Sequence, residues 1–277
     1  MIAGLDPSTL AIWIFAFAVA SVVAGFAAGL LGVGGGIVTV PVMHNLFTFM
    51  GMDGDLAMQV AVGTSLLTII PTGFMSARSH LKRGGVDVAL IKLWGPLAFA
   101  GTLVAVVIAR YVDGDVLQAV FAVVAFLVAA DMIIRRNGGK IADGFPNAAV
   151  RGLSGFLIGG FSTLMGIGGG TLSVPVLSAV GFPIRLAVGT ASMLGPIIAI
   201  PGAIGFIING LGVEGRPPLS LGYVNLIAFV MLLPAGLYMP AIGAKVAHAI
   251  EPRTLKLVFA AFLLVTASRM AWGLWFS

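Results

Sequence analysis

The sequence predicts an all-α polytopic membrane protein made of two homologous halves in inverted topology. About 8–10 hydrophobic segments are expected, two of them short and broken by glycines. Three observations carry this. Of the 277 residues, 59% are hydrophobic and 9% charged, with a mean hydropathy of +1.11, whereas a soluble domain carries about 25% charged residues. Several apolar runs exceed the ~18 residues that mark a bilayer-crossing helix. The second half of the chain also repeats motifs of the first, in the same order.

Ten hydrophobic segments can be traced, near 9–31, 37–50, 56–77, 87–109 and 116–134, then 148–166, 171–182, 185–208, 222–244 and 254–276. The second segment of each half is shorter than the ~20 residues a full crossing needs. The polar stretch Arg135 to Gly144 separates the halves, giving an N-terminal repeat over 1–134, a cytoplasmic linker over 135–147 and a C-terminal repeat over 148–277. Gly32-Val33-Gly34-Gly35-Gly36 corresponds to Gly166-Ile167-Gly168-Gly169-Gly170, and Val40-Pro41-Val42 to Val174-Pro175-Val176. Ala61-Val62-Gly63-Thr64 is identical to Ala187-Val188-Gly189-Thr190. Pro96 pairs with Pro234, Val120-Phe121-Ala122 with Val258-Phe259-Ala260, and Met132 with Met270, all at one spacing.

Charge sets the expected orientation. Arg78 to Gly85 and Arg135 to Lys140 are basic and should be cytoplasmic, whereas Arg110 to Asp115 is net acidic and should face outside. In the second half the bias swaps: the counterpart of the first loop, around Glu214, has no net charge, and Lys245 to Lys256 is basic. Five segments per half would invert the second repeat, which explains the swap; re-entrant short segments would instead give parallel repeats and leave the loop charges unexplained. The formal charge of +5 and pI near 10.0 therefore reflect cytoplasmic loops rather than nucleic-acid binding. The chain has no cysteine, so disulfides and thiolate metal sites are excluded. Met1 to Thr9 has no Lys or Arg and precedes a long apolar run, so no cleaved signal peptide is expected.

The glycine runs are the candidate site. A broken helix exposes N–H groups that lipid cannot satisfy, so a break must face protein or a watery cavity. A helix starting after glycines presents free N–H groups and a positive dipole end to an anion. Two such breaks facing each other would hold a polar solute near the midplane, a recurrent transporter design. The competing reading is close helix packing. A nucleotide-binding loop is not expected, since no strand precedes the glycines and no Walker lysine follows. The candidate substrate-binding residues are Gly34, Gly35, Gly36, Thr39, Thr64 and Ser65, with Gly168, Gly169, Gly170, Ser173, Thr190 and Ser192 in the second half. The hydroxyls among them are candidate donors to an anion.

Ionisable groups within the spans are few. Lys92 lies shallow and should snorkel, and Asp131 and Arg135 are spaced to pair. Arg269 lies deeper, and His44 with Asn45 follows the first break. No carboxylate falls clearly at mid-depth, which argues against a carboxylate proton relay. Trp13, Trp94, Trp272 and Trp275 read as interfacial anchors.

The doubled Gly-x-Gly-Gly-Gly…Val-Pro-Val pattern, with Ala-Val-Gly-Thr about twenty residues on, resembles the TauE/SafE sulfite exporter family over nearly the whole chain. The resemblance implies a multi-pass inner-membrane transporter of sulfite, sulfoacetate or related organosulfur anions, not an enzyme, with no cofactor. The expected partners are a small anion and the lipid bilayer, without nucleic acid, and a homodimer is an allowed assembly. Rival readings are a permease or channel-like uniporter for another small anion and, remotely, an intramembrane serine protease using Ser154 of Gly152-Leu153-Ser154-Gly155 with His248.

Overall fold

The computed structural model describes residues 15, 17–19, 21–26, 35–134, 140–247 and 252–276. Helical residues within Phe17–Phe26 precede nine helices: α1 (Gly36–Phe49), α2 (Gly54–Lys82), α3 (Val88–Tyr111), α4 (Gly114–Ile134), α5 (Ala148–Leu164), α6 (Gly170–Ala179), α7 (Ile184–Asn209), α8 (Leu226–Ala247) and α9 (Pro252–Phe276). The fold is an all-α polytopic membrane fold. Helices α2, α3, α4 and α7 and the Leu226–Gly243 part of α8 are long and apolar enough to cross a bilayer. Helices α1 and α6 have 14 and 10 residues, matching the two short segments expected.

Local chemistry sets several boundaries. The Asp53 carboxylate accepts from the N–H groups of Asp55 and Leu56 and starts α2. Asp87 accepts from Leu90 N–H and starts α3, and Asn147 accepts from Val150 N–H and starts α5. Before α8 the sequence reading misses an element. Residues 222–244 read as one apolar segment, but Ser220–Leu221 and Val224–Asn225 form a small antiparallel hairpin (β1, β2). Gly222 turns it with a φ of 58°, and α8 begins only after Asn225 accepts from Ala228 N–H. On the same hairpin, burial pushes the Tyr223 phenol above its ordinary range, opposed by the Arg216 charge.

Pro41 and Pro175 do not end their helices. Each lies in the sixth position of α1 or α6, and both helices continue past it. The break in the second half comes from glycine: α5 ends at Leu164, and Gly166 and Gly169 have φ values of 66° and 70°.

Helices α2 and α7 run antiparallel through the centre. Gly189, near the start of α7, meets the Gly85 carbonyl just past the end of α2; Gly73 meets Pro196; and Gly63 meets Phe206. Around this pair the halves exchange partners. Gly159 of α5 packs on Ala98 of α3, while Gly25 packs on Ala235 of α8. Helix α4 joins α9, where Gln118 Nε2 donates to the Met270 carbonyl at 2.7 Å.

One end of the bundle carries the C-terminal ends of α2, α6 and α8. The linker is tied there, with Ile141 and Gly144 N–H donating to the carbonyls of Ala179 and Val180. Trp94 corrects the anchor reading. It is fully buried, packs on Gly155, and donates its indole N–H to the Arg151 carbonyl at 2.7 Å. Trp272 is exposed, as an anchor requires; Trp13 lies outside the described residues.

Candidate functional site

A cavity of about 680 Å³ opens between α2, α7 and α8 and reaches the two glycine runs. Its deep end is lined by Gly35, Gly36 and Thr39 at the start of α1, by Gly168 and Gly170 at the break before α6, and by Ser65 and Ile69 of α2. The mouth carries His80, Arg83 and Lys245. Among the described lining residues there is no carboxylate, so the charged side chains of the passage, Arg83 and Lys245 at its mouth, are both basic.

The two glycine runs meet backbone to backbone. A Cβ on Gly36 would lie 2.6 Å from the Gly166 carbonyl oxygen and 2.8 Å from Ile167 Cα. Ser65 Oγ also donates to the Gly166 carbonyl, at 2.7 Å, pinning the second run against α2. A Cβ on Gly169 would press on Ile198 Cδ1 at 2.9 Å, in a left-handed conformation that side chains avoid. The starts of α1 and α6 have no side-chain cap; Val38 N–H already donates to the Gly35 carbonyl and Gly170 N–H to the Gly168 carbonyl, so the donors this deep end offers are the other first-turn N–H groups.

The hydroxyls are oriented differently from the sequence expectation. Thr39 donates to the Gly35 carbonyl at 2.8 Å, Thr68 to Thr64 and Thr72 to Thr68 at 2.9 Å, and Ser192 to Gly189 at 2.7 Å. With Ser65 bound to Gly166, these protons are committed to backbone carbonyls, and the hydroxyl wall faces the cavity with lone pairs. In this conformation an anion is met by backbone N–H groups and by the basic mouth, and each of these bonded hydroxyls must rotate before it can donate.

Of the candidate residues, Gly35, Gly36, Thr39, Ser65, Gly168, Gly170 and Ser192 line the cavity. Gly34 lies outside the described residues. Gly169, Ser173, Thr64 and Thr190 stand behind the lining. Ser173 Oγ is buried without a hydrogen-bond partner. Thr64 and Thr190 make a matched pair of long-range bonds. Thr64 Oγ1 accepts from the N–H of Asn225, and Thr190 Oγ1 accepts from the N–H of Asp87, each at 2.9 Å. Beside them, a Cβ on Gly63 would overlap the Tyr223 carbonyl, and a Cβ on Gly189 the Gly85 carbonyl. Each Ala-Val-Gly-Thr motif therefore clamps the loop that starts a helix of the opposite half: glycine admits the carbonyl, and threonine holds the N–H two residues on.

Sequence reasoning missed Thr68, Thr72, Ser76, Ser79, His80 and Arg83, all in the lining. With Ser65 they recur every three or four residues along α2, a polar stripe on one helical face. That spacing was readable.

Other candidates fall elsewhere. His44 is buried in α1 with Nε2 unpartnered, and Asn45 donates to the Pro41 carbonyl; neither lines the cavity. Ser154 is exposed and donates to the Arg151 carbonyl; His248 lies outside the described residues. At the end away from Arg83 and Lys245, a second recess of about 620 Å³ holds Asp53, Asp55, Asp113 and Glu214 with Arg110.

Comparison with known proteins agrees with this architecture. A probable membrane transporter protein of Haemophilus influenzae is 32% identical over 247 residues, 89% of this chain and 94% of the relative. One from Methanocaldococcus jannaschii is 28% identical over 253 residues, covering 87% and 91% of the two chains. The probable membrane transporter protein YunE of Bacillus subtilis is 24% identical over 271 residues, covering 91% and 95%. No solved structure matches the chain. The family described as Sulfite exporter TauE/SafE matches residues 17–270, so this chain belongs to that family.

Proposed function

We propose that this multi-pass membrane transporter moves small sulfur-containing anions, such as sulfite or organosulfonates, out of the cell across the inner membrane. The observation that carries the reading is the cavity itself, which runs from a basic mouth to two uncapped helix starts at touching glycine runs. Family membership supports the sulfur chemistry. The volume, about 680 Å³, lies within the ~300–1,000 Å³ of sites for organic ligands. Its walls include Ile69, Met75, Val174, Leu232 and Leu237, which suits an organosulfonate with a short carbon chain better than sulfite alone.

The two halves form an inverted repeat in this reading. Its support is the antiparallel course of the equivalent helices α2 and α7, and the exchange that pairs Thr64 with Asn225 and Thr190 with Asp87. The end with Arg83 and Lys245 is then cytoplasmic.

A thermal-shift series on purified protein with sulfite, sulfate, sulfoacetate, taurine and short carboxylates tests the substrate class. A ligand of the folded state raises its stability by mass action, about 2.7 kcal/mol at a hundredfold excess over Kd. The largest shift is expected with a sulfonate or sulfite. Stabilisation by carboxylates alone would assign the site to another anion class.

A further inference from the structure

The cavity reaches the glycine runs from one end only, and the repeat shows where the other half of the passage lies. Each residue lining the mouth side has a counterpart in the opposite half. Ser76, Ser79 and Arg83 of α2 correspond to Gly202, Gly205 and Asn209 of α7, by the register that aligns Thr64 with Thr190. Gly236, Pro240 and Lys245 of α8 correspond to Ala98, Thr102 and Val107 of α3, by the register that aligns Pro234 with Pro96. Gly25 corresponds to Gly159 of α5, by the register of the glycine runs.

The first set lines open space. Of the second set, Gly202, Gly205, Asn209, Ala98 and Thr102 are packed shut, whereas Val107 is exposed on the outer surface, and Gly159 packs on Ala98 much as Gly25 packs on Ala235. Asn209 Nδ2 donates to the Val106 carbonyl at 2.9 Å, and a Cβ on Gly205 would run into the Val106 side chain. Thr163 Oγ1 donates to Thr102 Oγ1 at 3.0 Å, and both hydroxyls are fully buried. Leu66 and the Thr163 methyl fill the space over Gly202, at 3.1 and 3.4 Å from a Cβ placed there. Beyond this packing lies the acidic recess lined by Asp55, Gln59, Ala109, Arg110 and Tyr223.

We infer that the second half of the transport passage runs between α7, α3 and α5, and that Asn209, Val106, Thr102 and Thr163 form its gate. The inference rests on the inverted-repeat reading. The two halves exchange conformations: α7 withdraws from α3 as α2 closes on α8, so that Arg83 takes up against Ala244 the place Asn209 now holds against Val106. The glycine runs stay at the centre, and the solute passes them without both sides being open together. Three long-range side-chain hydrogen bonds cross this closed face among the described residues, Asn209 to Val106, Thr163 to Thr102 and Thr102 to the Gly159 carbonyl at 3.4 Å, a number small enough to break in each cycle.

The chain has no cysteine, so cross-linking is direct. Thr102→Cys with Thr163→Cys places two sulfurs where the hydroxyls now touch, a separation a disulfide can close. In proteoliposomes, oxidation of this double variant is expected to stop sulfite flux and reduction to restore it, with both single variants active. Full flux after complete cross-linking would overturn the gate. A second readout needs no substrate. An impermeant thiol reagent applied from the acidic face should label Thr102→Cys about fivefold faster when Asn209→Ala is added, the population change worth one net hydrogen bond. Unchanged labelling would also overturn it. Labelling of Glu214→Cys and Arg83→Cys from opposite membrane faces separates the two levels: if they label from one face, the repeat falls, and if from opposite faces while flux survives cross-linking, only the gate falls.

Discussion

Replacing Thr64 by valine keeps the side-chain shape and removes one oxygen. That oxygen now accepts from the backbone N–H of Asn225 at 2.9 Å, at a residue only 3% exposed. No water can replace it there, so the substitution leaves a buried amide unsatisfied, for about 1–3 kcal/mol. The matched change, Thr190→Val, removes the acceptor from Asp87 N–H. Asp87 is half-buried at the loop, and water can partly take over, so that loss should sit near the low end, about 1 kcal/mol. Serine at either position restores the oxygen and should recover most of the stability. Thermal or chemical unfolding in detergent measures the ordering, wild type above Thr190→Val above Thr64→Val. Both valine variants should keep the stabilisation given by the best anion, since neither hydroxyl lines the cavity. Undiminished stability combined with a lost anion response would refute the clamp and return these threonines to the binding site.

Gly63→Ala and Gly189→Ala should each lower the melting temperature. On an open helix face alanine would add about 1 kcal/mol, but here its Cβ overlaps the Tyr223 or Gly85 carbonyl, and an unchanged or raised melting temperature would refute the close approach. Arg83→Gln with Lys245→Gln should slow anion capture several-fold near 10 mM salt and hardly at all at 1 M, because the Debye length falls from about 30 Å to about 3 Å. Equal losses at both salt concentrations would mean that these cations touch the substrate directly rather than steering it.

The sequence by itself determined the class of the fold and most of its elements. Lipid leaves no alternative to helices, so long apolar runs with basic and acidic connections translate directly into spans. The short second segment of each half was equally legible, because a length in residues is a length in ångströms. The hairpin at 220–225 was not, since Leu221, Tyr223 and Val224 run straight into the apolar helix that follows and two-residue strands paired across Gly222 leave no periodic mark. The burial of Trp94 was hidden for the same kind of reason: a tryptophan near a loop suits an interface, and only the small residue Gly155 opposite it makes room inside. At the site, the glycine runs could be named in sequence, but not that Gly36 would lie against Gly166. Contact between residues more than a hundred positions apart is a property of packing, not of local pattern. Tertiary structure also separated two uses of one residue type. Ser65 and Thr39 face the cavity, while Thr64, one position from Ser65, turns about 100° around the helix and clamps the loop at Asn225. Hydroxyls in a membrane helix look alike in sequence, and which carbonyl, N–H or open space lies opposite each one is decided by the neighbouring helix.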